Sequence, residues 1–138
     1  MPLQTLTSSL PFLGAEVATD YDRAKVVILP IPFEATTTYR RGCQNGPSAI
    51  LEASHQVEYY DDEHDREFWD AGIYTHDAIS DTRNTPSISS EEMLRVTQET
   101  VSKLIADGKF VISLGGEHSI TEAIVAAYQQ ANPTEPFT

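Results

Sequence analysis

One short turn carries the side chains with the greatest catalytic potential. The apolar run Phe110–Leu114 is typical of a buried strand, and Gly115 and Gly116 after it allow the backbone to turn sharply. The next two residues are Glu117 and His118. Because ligands of open α/β sheets bind beyond the carboxyl ends of the strands, a neutral imidazole here can bind Mn²⁺, Fe²⁺ or Zn²⁺. A hydrogen-bonded structural histidine is the alternative that a single imidazole leaves open.

The same turn excludes several familiar catalytic loops. It does not match the G-x-S-x-G pattern that would make Ser119 a nucleophile, and it matches neither G-x-G-x-x-G nor the phosphate-binding Walker A loop. Ser119 and Glu122 instead have the spacing of a capping box, which predicts a helix from there to about Ala131. We therefore interpret these two residues as a reciprocal helix cap, and we assign no ligand role to Glu117.

A second candidate region follows another buried strand. The run Ala24–Leu29 is apolar and rich in β-branched residues, and Pro30 is expected to end it. The polar loop Glu34–Gly46 then follows, and loops of this length are often functional. Cys43 lies close in sequence to two arginines, and nearby cations lower the pKa of a thiol. It is either a reactive thiol or, as we prefer, an inert loop cysteine.

The remaining histidines are weaker candidates for a site. His55 follows a predicted helix, and we interpret it as a surface or capping residue. His64 lies in the acidic stretch Glu58–Glu67, which we interpret as a solvated loop. A cation-binding loop is the alternative, but the stretch lacks the glycine turn and the ligand spacing of an EF-hand. His76 can reach a site only if the weak strand predicted just before it forms.

Composition limits the classes of protein that remain. The chain has 138 residues and 15.3 kDa, the size of one ordinary domain. Nine Lys and Arg against 21 Asp and Glu give a net charge of −12, which excludes a phosphate-binding nucleic-acid module. No apolar run approaches the roughly 20 residues that cross a bilayer, so we expect no membrane partner. With Cys43 as the single cysteine, no internal disulfide can form, and we expect a reducing, cytoplasmic location.

The elements that must position these side chains are predicted from periodicity. Ser89 and Glu92 form a capping box before a helix whose apolar residues recur from Met93 to Leu104, and Gly108 is expected to end it in the left-handed conformation. A second helix is predicted over 48–57, with Ile50 and Leu51 turned inward. The order of strand, loop, helix, weak strand, helix, strand and helix predicts an α/β fold with a parallel sheet. The aromatic residues expected in the core are Phe68 and Trp69.

Two blocks of the sequence resemble one enzyme family. Residues 110–121, FVISLGGEHSIT, closely resemble the first metal-ligand motif of the ureohydrolases, the arginase and agmatinase family. Residues 30–54 resemble that family's N-terminal block. Its shared features are Pro-Phe with an acidic residue, Tyr39-Arg40 with Gly42, and Gly46-Pro47 before a helix. Because both motifs occur in the right order, the resemblance is specific, and the agmatinase branch is the most similar.

The resemblance implies both a fold and a chemistry. The fold would be α/β, a three-layer parallel sheet of the arginase type, and the cofactor would be a dinuclear Mn²⁺ centre. In that family a bridging hydroxide attacks a guanidinium carbon and releases urea, since two cations lower the pKa of the water between them. The resemblance makes His118 a ligand to one manganese ion, and it places Tyr39–Asn45 at the rim of the site or at a subunit contact. It implies a small guanidinium substrate such as agmatine and a homo-oligomer, and it assigns no catalytic or substrate-binding residue.

The same resemblance predicts an incomplete site. The family's other ligands come from later Asp-x-His-x-Asp and Asp-x-Asp motifs, and neither follows residue 121. We therefore expect residues 1–138 to be the N-terminal part of a single ureohydrolase domain, with no activity alone. A non-catalytic fold fragment or assembly module without metal chemistry is the alternative. We also expect one edge of the strand Phe110–Leu114 to be open and apolar, which favours association.

Overall fold

A three-stranded parallel sheet organises the part of the chain that the computed structural model describes, residues 10–136. The elements in chain order are β1 (Val26–Ile31), α1 (Gly46–Ser54), β2 (Tyr60–Asp61), β3 (Arg66–Glu67), β4 (Ile73–Thr75), α2 (Ser90–Ala106), β5 (Phe110–Gly115) and α3 (Ile120–Ala131), with 3₁₀ turns at Cys43–Asn45 and Phe68–Ala71. The strand order is β4-β1-β5, and both pairings are parallel. The predicted α/β class is therefore confirmed, and the weak strand expected before His76 forms as β4.

β1 supplies the centre of the core because it is apolar on both faces. Val27, Leu29 and Ile31 are fully buried in one cluster with residues of α2 and α3. The prediction that the strand ends at Pro30 is wrong, since β1 continues to Ile31. Pro30 lacks an N–H, but its carbonyl accepts a hydrogen bond from the Ile79 N–H (3.1 Å) on the side where β4 has already ended. The missing N–H of Pro30 therefore removes no hydrogen bond between β1 and β4, whose pairing ends at Ile28.

α2 and α3 cover one face of the sheet. Ser89 caps α2 by accepting a hydrogen bond from the Glu92 N–H (3.1 Å), as predicted, whereas the Glu92 carboxylate pairs with Arg95. Gly108 follows the helix with φ 73°, the predicted left-handed conformation. The buried residues of the two helices are Met93, Thr97, Val101, Leu104, Ile120, Ala123 and Ala127. Among residues 10–136, no helix is both long and apolar enough to cross a membrane.

α1 covers the opposite face, which gives the three layers expected from the sequence. Pro47 and Leu51 line a small cavity together with Pro30, whose side chain points away from the α2–α3 face. Ser54 is also buried, and its hydroxyl donates to the Leu51 carbonyl (2.6 Å). Ile50 was expected to face inward but is 46% exposed. It lies at the margin of the stripe that Pro47, Leu51 and Ser54 define, so the helix turns it towards solvent.

The acidic stretch forms a separate two-stranded hairpin. β2 and β3 pair antiparallel, with Tyr60 opposite Glu67, and neither strand joins the main sheet. Its carboxylates are largely exposed, which agrees with the predicted solvation, but a hairpin replaces the predicted loop. The prediction of Phe68 as a core residue is wrong, since its side chain is 47% exposed, while Trp69 is half-buried. Both lie in the 3₁₀ turn that follows the hairpin.

Candidate active site

A cleft of about 450 Å³ opens at the carboxyl ends of β1 and β5. One wall is the loop that leaves β1, and the other is the turn that joins β5 to α3. This is the edge of a parallel sheet at which ligands of α/β proteins bind. The residues that line the cleft are Thr36, Thr37, Thr38, Tyr39, Arg40, Cys43, Glu117, His118 and Ser119.

The two walls are joined by the backbone at Gly116. Its N–H donates to the Ile31 carbonyl (3.0 Å), and the Glu117 N–H donates to the Phe33 carbonyl (2.9 Å), so the strand pairing extends into the turn. A Cβ atom at Gly116 would lie 2.1 Å from the Phe33 carbonyl oxygen. Because that obstacle is backbone, only glycine fits, and the turn that carries His118 is held directly against the end of β1.

The carboxylate of Glu117 ties the loop to the turn a second time. One oxygen accepts from the backbone N–H groups of Ala35 (2.7 Å) and Thr36 (2.8 Å), and the other accepts from the hydroxyls of Thr36 (2.5 Å) and Ser119 (2.6 Å). The residue is only 7% exposed. Burial raises the pKa of Glu117, but these donors outweigh it and lower the pKa to about 2. Glu117 is therefore a buried, ionised and fully hydrogen-bonded side chain.

The predicted reciprocal cap of α3 is wrong. Ser119 occupies the N-cap position, but its backbone is helical (φ −57°, ψ −23°) and its hydroxyl caps no backbone N–H of the helix. The hydroxyl donates to Glu117 instead. The hydrogen bond from the Ser119 hydroxyl to the charged Glu117 carboxylate is stronger than a cap to a neutral backbone N–H, so the hydroxyl binds the carboxylate instead of capping α3. The Ser119 carbonyl still accepts from the Glu122 N–H (3.3 Å).

A second buried carboxylate closes the far end of the loop. Glu34 is 7% exposed, and one of its oxygens accepts from the backbone N–H groups of Gly42 (2.8 Å) and Gln44 (3.1 Å). The hydrogen bonds from Gln44 and Gly42 lower the pKa of Glu34. At the other end of the residue, the Glu34 N–H donates to the Thr82 hydroxyl (3.0 Å). The Glu34 side chain therefore joins the start of the loop to its end at Gly42 and Gln44.

The surroundings of Cys43 are those of an inert loop cysteine, the interpretation preferred from the sequence. Its thiol donates to the Glu34 carboxylate (3.3 Å), and it lines the cleft. Burial raises the pKa of Cys43, and the neighbouring carboxylate of Glu34 raises it further. A protonated thiol is a poor nucleophile, so the alternative of a reactive cysteine is not supported.

His118 lies at the surface of the cleft with an available imidazole. The side chain is exposed, and it has no hydrogen-bond partner in the described part of the chain. A structural histidine would use a ring nitrogen internally, and His118 does not. Within residues 10–136, however, no group of three His, Cys, Asp or Glu side chains is placed to hold a metal ion. The two buried carboxylates, Glu34 and Glu117, are committed to their own donors.

The other histidines lie away from the cleft and have local partners. A ring nitrogen of His55 is 2.8 Å from the Pro11 carbonyl, and the residue caps the C-terminus of α1. His64 contacts Asp61 within the hairpin. A ring nitrogen of His76 is 2.7 Å from the Asp77 carbonyl. The interpretation of all three as non-site residues therefore agrees with their positions.

Comparison with known proteins identifies the family. A sequence model described as the arginase family matches residues 24–137. The chain belongs to the arginase family. Its relatives include the N(1)-aminopropylagmatine ureohydrolase of Synechocystis sp., 44% identical over 128 residues, which are 92% of this chain and 42% of that protein. They also include the agmatinase of Bacillus anthracis, 33% identical over 113 residues, which are 82% of this chain and 38% of that protein.

A solved structure supports the same arginase-family assignment. The agmatine ureohydrolase of Thermoplasma volcanium matches with a TM-score of 0.71 and 30% identity, over 91% of this chain and 40% of that one. The predicted family and its arginase-type parallel sheet are thereby confirmed. This arginase-family chain spans about 40% of the length of the relatives that it matches.

The sequence interpretation of this arginase-family chain missed its two buried glutamates. Glu117 was treated as a neighbour of His118, and Glu34 only as the acidic residue after Pro-Phe. No local signal was available for Glu117, because its backbone donors are Ala35 and Thr36, which lie 82 and 81 positions away along the chain.

Proposed function

We propose that this chain supplies the first metal ligand and two walls of the active site of a ureohydrolase. The reaction is hydrolysis of a guanidinium compound of the agmatine type to an amine and urea. The family assignment and the names of the relatives support the reaction class. The net charge of −12 also supports it, because an acidic protein attracts a cationic substrate.

One observation carries this proposal: the imidazole of His118 is available at the strand-end cleft. A nitrogen donor of this kind suits Mn²⁺. The turn from Gly116 to Glu117 is held rigidly, and it fixes the position of the His118 backbone from which the imidazole extends. When bound, a dinuclear manganese centre would supply a hydroxide nucleophile at neutral pH. Among residues 10–136, no group of three His, Cys, Asp or Glu side chains is placed to hold a metal ion, so further ligands would have to come from polypeptide outside these residues.

The residues of this chain have three roles in the proposed site. Glu117 holds the loop and the turn together, which fixes the distance between the two walls. Loop residues from Thr36 to Arg40 form the outer wall, where Arg40 lies 5.3 Å from the ring centroid of Tyr39. His118 binds the metal. None of these residues is proposed as an acid, a base or a nucleophile.

The proposal extends to the organisation of the protein. We propose that residues 1–138 are the N-terminal part of one ureohydrolase domain that acts in the cytoplasm as a homo-oligomer. The isolated chain should release no urea, because one ligand cannot hold two manganese ions. Purified protein incubated with Mn²⁺ and agmatine, aminopropylagmatine or guanidine tests this expectation, with urea as the readout.

A chimera tests the function itself. Residues 24–137 would replace the matching segment of the Synechocystis ureohydrolase, and urea release from aminopropylagmatine would be measured with Mn²⁺. We expect activity in the chimera and a loss of at least about 100-fold for His118→Ala, because mutation of even the outer-shell partners of metal ligands typically costs about 10–100-fold. His55→Ala, at another exposed histidine outside the cleft, is the matched control and should keep full activity. Full activity in the His118→Ala chimera would refute the ligand role.

The non-catalytic alternative has one observation in its favour: no group of three potential ligand side chains comes together among residues 10–136. A folded chimera that binds manganese but releases no urea from any guanidinium compound would favour it. In that case the chain would be an arginase-type fold used for assembly rather than for chemistry.

A further inference from the structure

A groove of about 450 Å³ lies between the acidic hairpin and the segment that precedes β1. Its apolar and aromatic lining consists of Leu13, Val57, Tyr59, Tyr60, Phe68 and Trp69. Three of these side chains are accessible to an unusual degree, since Val57 is 57% exposed, Tyr60 54% and Phe68 47%. An exposed apolar surface with a polar rim is typical of an interaction site.

The groove is separate from the cleft that carries His118. α1 begins beside the cleft, where a Cβ atom at Gly46 would lie 3.3 Å from the Gly115 carbonyl oxygen, and it ends at Ser54, shortly before the groove residue Val57. None of the residues that line the cleft lines the groove. A ligand bound in the groove would therefore leave the cleft free.

Carboxylates surround the aromatic lining of the groove. Glu58, Asp61, Asp62 and Glu63 lie among its lining residues. Asp61 contacts His64, whereas Glu58, Asp62 and Glu63 are exposed and form no ion pair within residues 10–136. Because complementary charges select a binding partner, the partner that this surface fits is cationic.

The arrangement of these groups favours an organic cation over a metal ion. A metal ion needs several ligands that converge on one point, and no three His, Cys, Asp or Glu side chains do so in the described part of the chain, hairpin included. Aromatic rings, by contrast, attract ammonium and guanidinium groups through cation–π interactions. One such contact is already present, since the Arg66 guanidinium lies 5.1 Å from the ring centroid of Phe68 and pairs with Asp70 (3.4 Å).

We propose that this groove binds a linear aliphatic cation with two or more ammonium groups. The carboxylates at its rim pair with the ammonium groups, and the apolar and aromatic lining contacts the methylene chain between them. A volume of about 450 Å³ is within the range of small-molecule pockets and far larger than one metal ion requires. The inference goes beyond the proposed function, because it depends neither on manganese nor on His118 nor on hydrolysis.

Trp69 reports directly on the groove, because it is the single tryptophan of the chain and lines the groove. The 138-residue chain would be titrated with 1,4-diaminobutane at an ionic strength of about 0.15 M, which screens weak nonspecific attraction. Tryptophan fluorescence and the indole N–H signal in NMR spectra would be followed. We expect a saturable change with half-saturation at or below about 1 mM. Neither the uncharged 1,4-butanediol nor Mg²⁺ at the same concentration should produce it.

A matched pair of double variants separates the groove from the general acidity of the protein. Glu58→Gln with Glu63→Gln removes two carboxylates from the rim, and we expect binding to weaken about fivefold or more. Glu122→Gln with Glu135→Gln changes the net charge equally at exposed positions outside the groove and should bind within about twofold of the unchanged chain. Phe68→Leu keeps an apolar side chain but removes the ring, and it should weaken binding about threefold.

The outcome is independent of urea release. His118→Ala should bind the diamine as the unchanged chain does, so failure of the proposed function would leave this result intact, and circular dichroism would verify that each variant is folded. The absence of a saturable change, an equal response to Mg²⁺, or equal weakening by the two double variants would overturn the inference. A Trp69 signal that follows protein concentration and not the diamine would overturn it too, since the groove would then be a contact between copies of the chain.

Discussion

Carboxylates are used in opposite ways at the strand-end cleft and at the acidic hairpin. At the cleft, Glu34 and Glu117 are each 7% exposed and accept hydrogen bonds from backbone N–H groups. In the hairpin, Asp61 contacts His64, and most of the neighbouring acidic residues are exposed. The same functional group is structural in one region and solvated in the other.

The difference shows that the role of an acidic residue depends on the hydrogen-bond donors around its carboxylate. The number of acidic residues nearby in the sequence does not decide it. The hairpin belongs to the most acidic part of the sequence, yet its carboxylates have few donors and no metal cluster forms among the described residues. The cleft contains fewer acidic residues, but the loop directs several backbone N–H groups at each of its two carboxylates. A carboxylate placed there is held in its ionised form.

Glu117→Gln should produce the largest change. The Glu117 carboxylate accepts four hydrogen bonds, whereas the NH₂ group of a glutamine would face N–H and O–H groups that are themselves donors. We therefore expect the free energy of unfolding to fall by roughly 3 kcal/mol. Urea denaturation followed by circular dichroism would measure it. Glu122→Gln, an exposed charge in the first turn of α3, is the matched control and should change stability by less than about 0.5 kcal/mol. Equal effects from the two variants would contradict the comparison.

Acid should destabilise the fold through Glu117. The folded-state pKa of Glu117 is about 2, below the ordinary 4.5, so its contribution is fully present above pH 4.5 and is lost as the pH falls from 4.5 towards 2. The lost contribution is on the order of 3 kcal/mol over that range. Denaturation midpoints measured at intervals between pH 5 and pH 2.5 would show it. Glu117→Gln should have a shallower slope there, and identical slopes would argue against the assignment.

Glu34→Gln should loosen the loop rather than the whole fold. Its carboxylate holds the amides of Gly42 and Gln44, so those two amides should exchange about tenfold faster in the variant. Hydrogen exchange measured by NMR resolves them individually. The amide of Thr36, held by Glu117, provides the internal control. Faster exchange at Thr36 to the same degree would show that the two carboxylates act as one unit.

Asp61→Asn should produce the smallest change. Asp61 accepts from the His64 N–H (3.0 Å) in an exposed hairpin, and an asparagine can keep that bond. We expect the thermal midpoint to move by less than about 3 °C, the usual range for a surface substitution. Differential scanning calorimetry would measure it. A shift as large as that of Glu117→Gln would mean that the hairpin is structural after all.

The sequence predicted those parts of the fold that depend on local patterns. β5, the Ser89 cap and the left-handed Gly108 all follow from hydrophobic runs and terminal signals within a few residues. The failures depend on tertiary neighbours. Pro30 remains in β1 because β4 has ended on the side that its missing N–H would face. Ser119 does not cap α3 because its hydroxyl donates to the buried Glu117 carboxylate.

The candidate site was predicted only in part for the same reason. His118 was found from the motif around it, and the structure places it on the cleft, while its role as a ligand stays a prediction. Glu117 could not be recognised from sequence spacing, because its backbone donors lie 81 and 82 positions away along the chain. Contacts of that separation are set by the sheet order, which no local window contains. The donors of Glu34 are only 8 and 10 positions away, but they belong to an irregular loop whose path no periodic pattern specifies.

The contact between Gly116 and Phe33 limits how this protein can change. The obstacle to a larger residue at position 116 is a carbonyl oxygen, and carbonyl oxygens are the same whatever amino acid occupies position 33. No substitution at position 33 can therefore make room for a larger side chain by becoming smaller. A larger residue at position 116 would require the main chain itself to follow a different path.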